Sequence, residues 1–402
     1  MFNTIYNCLL IHKMNKYKNN GLCGLMNLGN TCFINACIQI FSHTYEMHSI
    51  MDKIDMDKMV AAMDKDKDKS DFAKTKGIHK SNNSNSNSNC NSNNQKKYSF
   101  LILVEWNNLR KSLWSKNDIV RPIPFVKTIQ FVAKKNGLQE FTSFRQTDIQ
   151  EFMLFFVDCL HTSLSRKIKI DITGQPVTKT DTLATKCFEM IKQRYECDYS
   201  EFWNLFYGIQ VSEICDAKTN EIFSQTPEPY FIIDLPLTPT VTTSSNTLKT
   251  LTTSSKNPLL TDCLNLYVKG EFIEGYHHEE RKQTFHIHKK LSFWSFPTIL
   301  VICLKRFKEN NVKIKTRIDF PFDLDLTSYA VGYKSTSFIY TLYGVCNHFG
   351  GSPSSGHYTS YIKNANDTWY EFDDCTVTEI TANHVVTPHA YMLFYRKNAP
   401  IV

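Results

Sequence analysis

A chain of 402 residues, 42% hydrophobic and 13% aromatic, carries enough apolar side chain for one large domain or two or three ordinary ones, which excludes a small disulfide-held scaffold. Its 46 Lys and Arg against 39 Asp and Glu leave +7, but the Lys-rich stretches are interrupted by Asp, as in Asp64-Lys65-Asp66-Lys67, so no basic stripe demands nucleic acid. The longest central apolar run, Ile299 to Leu304, is far short of the roughly 20 residues a bilayer crossing takes, and 13 cysteines without a framework read as reduced thiols of the cytosol or nucleus.

In chain order, Met1 to His12 are mildly apolar, yet Asn3 and Asn7 interrupt them and no basic region precedes them, so no secretory signal is expected. Asn30 stands as an N-cap before Phe33, Ala36, Cys37, Ile40 and Phe41, which share one face at helical spacing and predict a helix from near Cys32. Ser81 to Gln95 alternates Asn and Ser with almost nothing apolar to offset the entropy of ordering, the centre of a disordered insertion over about residues 60–97. Ile102, Trp106, Leu109 and Leu113 make a second helical face, and Thr147 with Gln150 forms a capping-box pattern ahead of Ile149, Phe152, Met153, Phe156 and Leu160.

After about Phe206 the pattern turns strand-like. Ile299 to Arg306, Phe338 to Cys346, His357 to Lys363, Trp369 to Asp373 and Tyr391 to Arg396 are rich in β-branched and aromatic residues. Thr238 to Asn257 interrupts them as a Thr/Ser-rich loop or loose hairpin. A helical lobe followed by a mostly antiparallel sheet, class α+β, is the expected architecture, and no internal repeat suggests a solenoid or propeller.

The segment from Gly24 to Asn35 is a glycine-bearing loop that delivers Cys32 to the first turn of a helix, where unpaired N–H groups and the positive dipole end favour a thiolate nucleophile. One Cys among 13 is by itself more often a buried thiol; the loop is what argues for chemistry. A cysteine nucleophile needs a base and an orienting group. His357 opens an apolar strand directly after the glycine- and serine-rich Phe349 to Ser355, and Asp373 and Asp374 follow at the end of a strand spaced to pair with it.

These residues, with Gln146 to Phe152 and Leu304 to Phe307, resemble the ubiquitin-specific protease family of deubiquitinating enzymes from about Gly21 to Arg396. The resemblance implies a papain-like cysteine protease fold of thumb, palm and fingers. Its boundaries would be an N-terminal extension 1–20 and a catalytic domain 21–398, with the thumb about 21–205 and the palm and fingers about 206–398. It implies Cys32 as nucleophile, His357 as base and then acid, Asp373 as the residue orienting the imidazole, Asn27 as an oxyanion donor and Asp374 as a second carboxylate. Asp148 would meet the basic C-terminal tail of ubiquitin. The reaction would be thiol-dependent hydrolysis after the terminal glycine of ubiquitin, with ubiquitin and its conjugates as partners.

Many members of that family hold a zinc in the fingers with two Cys-x-x-Cys pairs. Here the aligned positions are Cys215, Lys218, His278 and Arg281, so no metal and no cofactor are expected; a rearranged site would have to draw on His277, His286 or Cys197. Neither nucleic acid nor membrane is expected as a partner, and the chain is expected to be a monomer. Two rival readings differ in kind: a protease for a ubiquitin-like modifier, and an inactive ubiquitin-binding module, which the intact catalytic positions disfavour.

Overall fold

The computed structural model describes residues 15–61, 86–237, 257–308, 310, 312–333, 337–352 and 355–398, with the side chains of residues 86–93 left aside. The first lobe is helical. A two-residue strand, β1 (Gly24–Leu25), leads into α1 (Cys32–Ser42) and α2 (Tyr45–Met51), followed by α3 (Ser86–Leu113), β2 (Ile119–Val120), α4 (Ile123–Asn136), α5 (Ile149–Leu164), α6 (Lys179–Cys197) and α7 (Glu201–Phe206). All eleven residues of α1 are buried, more than the one-sided stripe predicts, because helices and sheet enclose it on every side. Two of its polar members donate locally: the Gln39 amide to the Cys23 carbonyl at 2.7 Å, and Asn35 to Leu25 O at 3.3 Å. Rings seat α1 on α5, with Phe33 against Phe152 and Phe41 against Phe156, both at 5.5 Å between centroids. Each buried aromatic contributes about 1.5–3 kcal/mol to holding the helices together.

The strands begin with β3 (Gly208–Asp216), β4 (Ile222–Tyr230) and β5 (Ile232–Pro236), then α8 (Leu260–Lys269), β6 (Glu271–His278), β7 (Gln283–Ser295), β8 (Ile299–Lys305) and β9 (Asp323–Asp325). The chain ends with β10 (Ile339–Ser352), β11 (Ser355–Lys363), β12 (Trp369–Asp373), β13 (Thr376–Ile380) and β14 (Ala390–Lys397). They form an eight-stranded palm sheet in the order β13-β12-β11-β10-β14-β8-β5, with β9 beside β10, and a four-stranded finger sheet, β4-β3-β7-β6. The palm is antiparallel except for β5 on β8. The unbroken apolar run of β8 is explained by burial on both faces: Ile299, Val301 and Cys303 join the helical core, and Leu300, Ile302 and Leu304 the core under α8. Leu183, Ala184 and Cys187 of α6 cover Ile209, Val211 and Trp294 of the finger sheet.

Three sequence expectations change. Asn30 has φ +55 and lies in the turn, while Thr31 takes the N-cap position of α1 without a side-chain cap bond. The cap of α5 is Asp148, whose carboxylate accepts from Gln150 N at 2.8 Å, so the Thr147–Gln150 capping box does not form; the Thr147 hydroxyl turns instead to the Glu140 carbonyl. The expected insertion is helical over Ser86 to Lys97, because α3 reaches back to Ser86. Once Ile102 to Leu113 have nucleated a helix, adding poor formers that are neither Gly nor Pro costs little per residue. Residues 62–85 of that insertion and 238–256 of the Thr/Ser-rich loop lie outside the described residues.

Candidate active site

Three close approaches assemble the site. Gly24 of β1 passes so near the turn after β12 that a Cβ on it would lie 2.2 Å from the Cys375 carbonyl oxygen, and Leu25 N bonds the Asp374 carbonyl at 2.8 Å. That contact brings the Asp374 carboxylate to the cysteine loop. One of its oxygens accepts from Asn27 Nδ2 at 2.9 Å and the other from Asn35 Nδ2, in the first turn of α1, at 2.7 Å. Asn27 Oδ1 in turn accepts from Gly29 N at 2.9 Å, Thr31 N at 3.1 Å and the Thr31 hydroxyl at 3.2 Å. The amide is therefore held with its carbonyl inside the loop and its NH2 toward Asp374, with one N–H left over.

Cys32 is the first residue of α1, and the first backbone bond of that helix is Asn35 N to Thr31 O at 2.9 Å. His357 lies near the start of β11, paired in register with Phe349 of β10, and β12 pairs the other edge of β11 through Ser360↔Phe372. That register puts Asp373 beside the imidazole: His357 Nε2 meets Asp373 Oδ1 at 2.6 Å, leaving the other ring nitrogen for Cys32. The hydrogen bond with Cys32 raises the His357 pKa most; burial opposes it, and the bond to Asp373 and then the charges of Cys32 and Asp373 add to the rise, which reaches about 9. At neutral pH the ring beside Cys32 is thus an imidazolium. The sequence-predicted Cys32, His357 and Asp373 come together; Asp374 stands next to them and acts on the two asparagines.

Asp148 sits at the palm side of α5, where its carboxyl also accepts from the Tyr391 hydroxyl at 2.7 Å, and burial raises its pKa. Two residues of the site were not singled out by sequence reasoning. Gln146 reaches across from the thumb and pairs both backbone polar groups of one residue: Gly356 N donates to Gln146 Oε1 at 2.8 Å, and Gln146 Nε2 donates to Gly356 O at 2.9 Å. Gly356 has φ +157, and a Cβ there would lie 2.4 Å from Phe349 O, so no larger residue fits this clamp. Asn35 is the other, a polar side chain in an otherwise apolar first turn, which was its only signal.

In the fingers, Cys215 donates its thiol to the His288 carbonyl at 3.5 Å, and Arg281 grips Glu221 with two bonds, at 3.0 and 2.6 Å. A guanidinium committed to a carboxylate is no ligand and repels a cation, so these residues do not fit a structural zinc. Among the described residues, His357, Asp373 and Asp374 are the one cluster of three possible ligand side chains, and they are the residues already gathered beside Cys32.

A family model described as ubiquitin carboxyl-terminal hydrolase matches residues 23–395. The chain is 28% identical over 410 residues to ubiquitin carboxyl-terminal hydrolase 2 of Rattus norvegicus, covering 96% of this chain and 56% of that protein. It is 29% identical over 410 residues to the Homo sapiens protein of the same name, covering 96% and 57%. The chain thus spans a little over half the length of these curated relatives. Among solved structures, the SAGA Ubp8/Sgf11/Sus1/Sgf73 DUB module bound to ubiquitin aldehyde shares the fold with TM-score 0.63 at 21% identity, over 95% of this chain and 71% of that one.

Proposed function

This chain belongs to the ubiquitin carboxyl-terminal hydrolase family, and on that premise we propose that it is a thiol-dependent deubiquitinase that cleaves the peptide or isopeptide bond after the C-terminal glycine of ubiquitin. The observation that carries the proposal is the Cys32–His357–Asp373 array, built from a helix N-terminus and two paired strands 325 residues away in sequence (357 minus 32). With its proton already held on His357, the Cys32 sulfur attacks the carbonyl carbon of the terminal glycine. The oxyanion that forms is met by the free N–H of Asn27 and by first-turn N–H groups of α1. His357 then returns the proton to the departing lysine amine, leaving a thioester that water hydrolyses with the same imidazole as base. Asp373 keeps the ring oriented and favours the imidazolium throughout.

Asp148, buried beside Tyr391, is the acidic group this reading assigns to the basic tail of ubiquitin. This reading places the chain in a reducing compartment, cytosol or nucleus, where its 13 cysteines stay as thiols. Among those residues no helix is long and apolar enough to cross a membrane. The reading takes the chain as a monomer. The test is reaction with ubiquitin bearing an electrophilic C-terminus. A covalent adduct that disappears in Cys32→Ala is expected. No adduct with ubiquitin, but one with a ubiquitin-like modifier carrying the same Gly-Gly ending, would replace the substrate and keep the chemistry.

A further inference from the structure

Beside the strand pair that carries His357 lies a cavity of about 390 Å³, walled by the Phe349–Gly351 end of β10 and by Lys313, Lys315 and His389. Three of its walls are thus basic side chains and none is acidic. Lys313 is buried, with 9% exposure, and its ammonium donates to His348 Nδ1 at 2.9 Å and to the His348 carbonyl. An ammonium donor on Nδ1 requires the neutral ring with its proton on Nε2, and that nitrogen has no partner. Just behind, Arg306 is fully buried and donates only to carbonyls, to Ala390 O at 2.6 Å, Thr316 O at 2.8 Å and Ile314 O at 3.0 Å. Among the described residues neither Lys313 nor Arg306 forms an ion pair.

Burying two cations without a carboxylate is unfavourable, and the groups repel one another as well as being desolvated. Burial first, then Arg306 and Lys315, bring the Lys313 pKa down to about 8; His389, at the mouth, is also lowered, by burial and then by Lys313. Among the described residues no carboxylate supplies their counter-charge.

We propose that this cavity is a binding site for a small phosphate-bearing anion, with Lys315 and His389 as the exposed contacts and Lys313 as the buried one. Phosphate oxygens at this place would accept from Lys315 and His389 and supply the counter-charge that Lys313 and Arg306 lack. The cavity is wider than a single phosphate needs, which suits a molecule that carries the group rather than the free ion alone. Because Phe349 is the register partner of His357 and its ring lies tilted against His389 at 4.4 Å between centroids, occupancy would stiffen the strand pair that holds the catalytic base.

The experiment is calorimetric titration and thermal melting of the full chain at pH 7 and fixed ionic strength, with inorganic phosphate, pyrophosphate and O-phosphoserine in separate arms and sodium chloride as the control. Saturable binding of one anion per chain, with a rise in thermal midpoint on the order of 2 °C at saturation, is expected in at least one phosphate arm. The arm that binds tightest tells a free phosphate compound from a phosphorylated side chain. The double variant Lys315→Ala/His389→Ala changes exposed residues and should weaken binding at least about tenfold. Equal binding by the variant and the parent chain would put the anion elsewhere and overturn the assignment, as would heats and midpoints no different from sodium chloride in every arm.

Discussion

Gln146→Ala removes both bonds that tie the thumb to the backbone of Gly356, the residue preceding His357. Each is a neutral hydrogen bond whose net contribution is about 0.5–1.5 kcal/mol, so together they hold about 1–3 kcal/mol of loop position. At about 1.4 kcal/mol per factor of ten, full expression in the transition state would lower the rate by roughly 5- to 150-fold, and partial expression by about tenfold. The loss belongs in kcat, because a displaced His357 impairs proton transfer more than it impairs the docking of a folded substrate. The assay is steady-state hydrolysis of a fluorogenic ubiquitin C-terminal amide, with thermal midpoints of both proteins measured alongside. Gln146→Glu keeps an acceptor for Gly356 N but sets a carboxylate oxygen against Gly356 O, so it should not restore the rate. A folded Gln146→Ala protein with unchanged kcat would refute the positioning role, and a rise confined to KM would make Gln146 a tail contact instead.

The two neighbouring carboxylates should separate cleanly. Asp373→Ala should cost more activity, whereas Asp374→Ala should cost more stability, by the loss of two charge-assisted bonds at about 1.5–3 kcal/mol each; reversed effects in rate and melting measurements would overturn both assignments. His357 has a folded pKa of about 9, above its ordinary 6.5, so its contribution to stability is fully present below about pH 6.5 and is lost as pH rises through about 9. The alkaline limb of the rate profile should follow the same group and move to lower pH in Asp373→Ala, and a limb that stays in place would detach Asp373 from the imidazole. In the fingers, chelators should leave activity and thermal midpoint unchanged; a stoichiometric zinc whose removal lowers the midpoint would show that Arg281 and Glu221 part to admit a metal.

How much of this was legible in the sequence depends on the range of the interaction. β12 was readable to the residue, and β8 nearly so, because aromatic or β-branched runs bounded by polar turns report a strand directly. Cys32, His357 and Asp373 were readable as a set because each occupies an element end whose local pattern is visible. Caps failed for a different reason. Which residue caps a helix is decided by backbone angles that composition does not fix, and Asn30, a good cap by type, went to φ +55 while Thr31 took the position. Gln146 was invisible as a site residue because its partner is a backbone peptide 210 residues away, and no side-chain pattern encodes a peptide group.

The same contrast explains how the site is divided. His357 and Asp373 are set by the β11–β12 register, and shifting that pairing by one residue would turn each side chain to the opposite face of the sheet. Asn27 lies on a loop and Cys32 at the helix end that loop leads into, where no strand register applies, so their geometry has to come from polar side chains: Asp374 fixes Asn27 and Asn35, and Gln146 fixes the backbone of the residue before His357. Close backbone packing frames both devices: Gly24 lies against the Cys375 carbonyl and Gly356 against the Phe349 carbonyl of β10, and a Cβ at either would collide with that oxygen. The expected consequence is asymmetric. A methyl group at either glycine should separate the nucleophile from its base without removing any group that does chemistry, so Gly356→Ala should resemble Gln146→Ala in kcat and exceed it in severity.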